Sequence, residues 1–322
     1  MHVESEEKLQ ARRRPVVLTV KLLVTISLFG WVLSQVDIDA LTSSLANTRL
    51  SYFTFAIAAH ALAFMLFSVR WWYLYRTQDK TSRYRDTFKS YYLGLFFNNF
   101  LPTGIGGDVI RILRLRKFGY ATHLLVSSSL MDRILGLTSI LMMGFVALSI
   151  TPNFVLHPNT KLIIYIIAIL TPFGLLFLFS DYMPKLTQLV IQRFHKGRFT
   201  DFLLNVMSTL HEYRHSRPRV LVALILSILA QYFIIASYVM IGFSLDISLP
   251  TSVFFIIIPI VFLATSLPIS IGGLGVREGV IVSLFTLFNV NTQAAIALSI
   301  LYFIIILLIS LPGGLVLLSN KK

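Results

Sequence analysis

The chain has 322 residues, of which 56% are hydrophobic and only 13% charged, with a mean hydropathy of +0.78. Soluble domains carry about 25% charged and about 45–50% apolar residues. A water-soluble globule is therefore excluded, and 26 Phe and 13 Tyr exclude a disordered chain. The formal charge of +14 points to basic cytoplasmic loops rather than to nucleic acid, and the absence of Cys excludes disulfides, thiolate metal sites and Cys nucleophiles.

Residues 1–15 read as a cytoplasmic tail with the basic run Arg12, Arg13 and Arg14. About 20 apolar residues cross a bilayer. Segment 16–36 qualifies and is read as an anchor rather than a cleaved leader. Segment 51–75 also qualifies and ends in Arg70, Trp71, Trp72 and Tyr73, an aromatic belt with a basic flank. Arg70 is expected to snorkel to the inner interface, and the mid-span His60 to pack. Segment 88–115 is apolar to Leu101, breaks over 102–107 and resumes at Asp108, with a second arm too short to cross. Segment 124–150 spans but holds Asp132 and Arg133, and segment 162–179 is a clean span.

Over 181–219, apolar residues recur at helical spacing with bases between them. An interfacial helix pair on the inner leaflet and a packed cytoplasmic hairpin fit equally. Segment 220–241 is a clean span. Segment 251–288 repeats the interrupted pattern, breaking over 268–273, and 294–318 is the last span. The expected fold is an all-α polytopic membrane protein with about six full transmembrane helices and two oppositely oriented re-entrant helical hairpins. A single membrane domain covers 16–318, with halves at 16–180 and 218–318, cytoplasmic helices over 181–217 and a tail at 319–322. The apolar runs are continuous, so the alternating strands of a transmembrane barrel are excluded.

With the N-terminus inside, 22 of the 28 Lys and Arg fall on the inner side, two outside (Arg49 and Lys161) and four within the membrane (Lys21, Arg70, Arg133 and Arg277). That asymmetry supports the orientation, with both termini cytoplasmic. It also makes the first hairpin enter from the cytoplasm and the second from outside.

The two breaks are an internal repeat. Residues 101–111 and 267–277 both read LPxxIGGxxxR, matching at six of eleven positions at an offset of 166. Opposed, interrupted helices in two halves are the best sequence pointer to a transporter site. Pro102 and Pro268 end the first arms, because proline has no N–H and restricts the residue before it. The pairs Gly106–Gly107 and Gly272–Gly273, with Gly275, permit positive φ and close approach. The second arms then begin with free N–H groups, an anion site by geometry and dipole. Arg111 and Arg277 lie one turn on and add a planar fork suited to phosphate. The expectation is one mid-membrane cavity for an anionic group.

The other embedded polar residues are weighed against it. Asp132 and Arg133 either pair structurally or face the cavity; an embedded charge costs about 2.5–3.5 kcal/mol on the insertion scale. Asp108 and Glu278 suit helix capping more than a proton relay. Asn98 and Asn99 precede the first break and favour lining the cavity over capping.

Taken together, Asn98-Asn99-Phe100-Leu101-Pro102 with Gly106, Gly107, Asp108 and Arg111, then Asp132-Arg133 followed by Gly136-Leu137, and Leu267-Pro268 with Gly272, Gly273, Gly275 and Glu278 form a recognisable set. The chain resembles the flippase-like transmembrane domain of lysylphosphatidylglycerol synthases over about residues 15–318; Arg70-Trp71 fits as well. The resemblance implies a bacterial or archaeal cytoplasmic-membrane protein that moves lipids with anionic, phosphate-bearing headgroups between leaflets, such as a phospholipid, an aminoacyl-phospholipid or a polyprenyl-phosphate-linked lipid. No aminoacyl-transfer domain follows, so translocation is expected and synthesis is not. No nucleotide motif, cofactor or metal site is read, no catalytic residue is assigned, and the chain is not expected to be an enzyme. Membrane lipids are the expected partners, and a homo-oligomer is open. A membrane-embedded transferase with a lipid-linked donor and a small-anion transporter are the alternatives.

Overall fold

The computed structural model describes residues 38–99, 101, 106–151, 162, 165–166, 169–171, 173–174, 176–177, 179–185, 197–266, 270 and 273–319. The segment 16–36, much of 162–179, residues 186–196 and the positions Pro102, Pro268 and Gly272 lie outside them. Among the described residues the secondary structure is helical: α1 (Ile38–Ala46), α2 (Leu50–Gln78), α3 (Tyr84–Asn98), α4 (Gly106–Lys117), α5 (Thr122–Ile150), α6 (Arg198–Glu212), α7 (Arg217–Ser244), α8 (Thr251–Ser266), α9 (Val276–Thr286) and α10 (Thr292–Ser319). A short 3-10 turn, Tyr213–Ser216, joins α6 to α7.

Four stretches among the described residues are long and apolar enough to cross a membrane: α2, α5, the run Thr200–Ser244 that ends in α7, and α10. The protein is a multi-pass membrane protein. Chain sections α3, α4, α8 and α9 have 15, 12, 16 and 11 residues. At 1.5 Å per residue none reaches about 25 Å, short of the roughly 30 Å hydrocarbon core.

The frame is the antiparallel pair α2/α7. The Arg49 N–H donates to Ser244 O (2.9 Å) at one end, and Arg219 Nη1 donates to Thr77 O (3.4 Å) at the other. The short helices form two antiparallel pairs of their own. In the first, Asn98 meets Gly107 and Gly94 meets both Gly107 and Arg111. A Cβ on Gly94 would lie 2.5 Å from Gly107 O, so α3 and α4 touch backbone to backbone. In the second, Gly273 faces Thr265, and Phe254 stands edge-on to Phe285 at 5.4 Å. The pair α3/α4 begins where α2 stops and α8/α9 begins where α7 stops. Because α2 and α7 are antiparallel, the two pairs enter from opposite ends of the bundle.

The main core lies between α2, α5, α7, α8 and α10 and includes Ala56, Ile140, Ile235, Phe254, Ile257, Leu298 and Ile305. Helix α6 is packed rather than lying free: it buries Val206 and Leu210 against Leu74, Met131 and Leu135. Ser127 Oγ donates to Val206 O at 3.0 Å.

Candidate functional site

The first break places five charged side chains together. Asp132 on α5 accepts Arg70 Nε from α2 on Oδ1 (2.7 Å) and Arg111 Nη2 from α4 on Oδ2 (3.4 Å). Arg111 also pairs with Asp108 one turn earlier (3.0 Å), and Asp108 pairs with Arg133 of α5. Ser227 of α7 accepts from Arg70 Nη1 (2.7 Å), and Ser129 of α5 accepts from Arg111 Nη2 (3.4 Å). The Arg111 guanidinium lies 4.1 Å over the Trp71 ring and 5.1 Å from that of Tyr91. Such stacking suits a delocalised, weakly hydrated cation.

Arg70, Arg111 and Asp132 are buried, whereas the Arg133 side chain is 45% exposed. Among the described residues three guanidinium groups face two carboxylates, so the cluster as described carries one excess positive charge. Arg133 sits about 16 Å along α5 from its first residue, at membrane depth. Charges at that depth face a bundle interior or a watered cavity.

Expected to snorkel, Arg70 is instead at the centre of this network, because Asp132 offers a full counter-charge that a helix end does not. Asn98 and Asn99 are used inside the protein: Asn98 Oδ1 accepts the Gly107 N–H (3.3 Å), and Asn99 Nδ2 donates to Ser310 Oγ on α10 (2.9 Å). Gly106 and Gly107 are buried at the start of α4.

The second break builds a separate cluster. Gly273 and Gly275 have φ of 76° and 80°, the left-handed region that glycine adopts without strain. Glu278 Oε2 accepts the Gly275 N–H (2.6 Å), which is a helix cap, and its Oε1 takes Arg277 Nη2 (2.6 Å). Ser299 of α10 bridges them, accepting from Arg277 Nε (3.0 Å) and donating to Glu278 Oε1 (2.9 Å). One cation meets one anion here, so the cluster is neutral.

Arg111 and Arg277 therefore have separate partners. Arg70 marks the first cluster on α2 and His60, packed on Tyr302 beneath Arg277, marks the second. These ten residues correspond to about 15 Å along the axis. The amides expected to be bare are in part occupied, Gly107 by Asn98 and Gly275 by Glu278.

Signals for Arg70, Trp71, Ser227 and Ser299 were weak in the chain, because their partners are distant in sequence. Two cavities lie at opposite ends of α2. One of about 320 Å³ is lined by Asp79, Thr81, Arg83, Asp86, Phe118, Gly119 and Tyr120. There the Thr81 hydroxyl and amide hold the Asp79 carboxyl below its usual range. The other, about 390 Å³, lies beside the Arg49–Asp246 ion pair and includes Tyr52 and Phe243.

Comparison with known proteins gives a family and a distant relative. The sequence model of the lysylphosphatidylglycerol synthase TM region matches residues 18–313. A UPF0104 membrane protein of Methanocaldococcus jannaschii is 22% identical over 303 residues, covering 88% of each chain. No solved structure matches.

Proposed function

Because this chain belongs to the family of the lysylphosphatidylglycerol synthase TM region, we propose that it carries a lipid with a phosphate-bearing headgroup between the leaflets of a prokaryotic cytoplasmic membrane. The observation that carries this reading is Arg133: a half-exposed guanidinium at membrane depth, joined through Asp108 to a buried network with one excess positive charge. The headgroup phosphate exchanges for Asp108 on Arg133 while the acyl chains stay in lipid. The two short helix pairs act as re-entrant hairpins from opposite faces and gate access in turn. Both termini and the 181–217 segment face the cytoplasm, as the distribution of basic residues favours.

A transporter fits better than a transferase. Asp108, Asp132 and Glu278 each hold an arginine, so none stands ready as a general base.

The test uses Arg133→Gln and Arg133→Lys in proteoliposomes containing a fluorescent phosphatidylglycerol, with leaflet exchange read by chemical quenching. Arg133→Gln is expected to slow exchange by about tenfold or more, the scale of one lost charge-assisted contact, with Arg133→Lys intermediate. Exchange at the wild-type rate in a correctly inserted Arg133→Gln protein refutes the reading. Inhibition by inorganic phosphate without any lipid movement would favour a small-anion carrier instead.

A further inference from the structure

His60 lies in the middle of α2 and is fully buried. It packs against Phe64 (ring centroids 4.9 Å) and stands edge-on to Tyr302 (5.1 Å). Neither ring nitrogen meets a hydrogen-bond partner among the described residues. A neutral imidazole has one donor and one acceptor, and buried polar groups of this kind are almost always satisfied. An orphaned histidine in an apolar core suits a group whose partner comes in another state of the molecule.

Its neighbourhood indicates what that state changes. Tyr302 stacks on Tyr238 of α7 at 3.9 Å. The Arg277 guanidinium lies 5.7 Å from the centroid of the same Tyr302 ring. His60 and Arg277 are thus both within 6 Å of one aromatic ring. Among the described residues the carboxylate there is Glu278, already engaged by Arg277, Ser299 and the Gly275 amide. Tyr302, Tyr238, Arg277 and Glu278 are the titratable and charged groups that α7, α9 and α10 bring to this region. Helix α8 and the half of α5 after Arg133 carry no titratable side chain. A proton on His60 would place a second cation beside the Tyr302 ring that Arg277 also approaches, with no free counter-ion among the described residues. The packed arrangement disfavours that charge, so protonation shifts the population toward a state in which α9 moves away or water reaches the ring. The cavity beside Tyr52 lies two turns, about 12 Å, from His60 along α2 and offers water at that end of the bundle.

We infer that His60 is a proton-binding site whose protonation opens the second helix pair, making a proton the coupling ion of the conformational cycle. A water-borne proton binds the free imidazole lone pair on one side and returns to water after the change of state. Only the identity of the cargo rests on the proposed function; the switch itself does not.

The chain contains no Cys, so a single introduced thiol reports without background. Ser270 is buried within the second break, and Ser248 is exposed. The modification rate of Ser270→Cys, normalised to Ser248→Cys at each pH, is measured in proteoliposomes from about pH 8 to about pH 5, across the ordinary histidine range. The ratio is expected to rise about tenfold as pH falls, and to stay flat in His60→Gln and in His60→Phe, which keeps a ring in the site. Unchanged thermal unfolding certifies that a variant is folded, and either variant alone suffices. A flat ratio with His60 present, or the same rise in a folded His60 variant, overturns the inference. Failure of the lipid assay leaves this readout untouched, so the two readings fail separately.

Discussion

Asp132 keeps two buried arginines together, one on each carboxylate oxygen. Removing one member of such a network leaves charge uncompensated and costs about 3–5 kcal/mol. Asp132→Asn is therefore expected to lower the thermal unfolding temperature markedly in detergent, and an unchanged value would mean that the network holds little. At this scale the sequence was legible where partners are local. Glu278 caps the amide of Gly275 three residues earlier, as helix geometry favours, whereas Asp108, expected to cap, pairs with Arg111 and Arg133. Arg70 was not legible. It sits at the end of an apolar segment beside tryptophans, where snorkelling is the ordinary fate, and its partners stand 62 and 157 residues away. No local spacing carries that information.

Four of the six expected spans correspond to long apolar helices, the other two lie wholly or in part outside the described residues, and the breaks fall near their expected places. What sequence pattern did not show is how the first pair docks. Gly313 of α10 lies against α3, where an added Cβ would come within 2.0 Å of the Tyr92 carbonyl oxygen and 2.8 Å of Phe96 Cβ. Small residues that let backbones approach are the usual means of packing helices in lipid, and the adjacent Gly313 and Gly314 were the available signal. Gly313→Ala must push α3 away from α10. The expected loss is on the scale of core overpacking, about 1–3 kcal/mol, read as a lower unfolding temperature. Gly119→Ala, where an added Cβ meets nothing within 4 Å but φ is +86°, tests backbone strain alone. A smaller effect there than at Gly313 is expected, and the reverse order would refute the docking argument.

Across the whole molecule, the opposed placement of the two pairs follows from the antiparallel α2/α7 frame. Lys80 and Ser248 lie at opposite ends of it, both exposed. Single cysteines at these positions are expected to react with an impermeant reagent from opposite sides of sealed vesicles, with position 80 cytoplasmic. Labelling from one side would refute the topology. The repeat predicted paired arginines, but not their separation. Each arginine stands the same distance beyond its break, and the pairs run in opposite directions. An equal offset therefore carries Arg111 toward one end of the bundle and Arg277 toward the other, and the two arginines stand in separate clusters rather than around one chamber.

The link from Asp108 to Arg133 has one more outcome. Under the proposed function, a carboxylate of the chain itself seated on the Arg133 guanidinium keeps that charge quiet without an ion from solution. On that reading a headgroup phosphate must outcompete a tethered rival whose local concentration never falls.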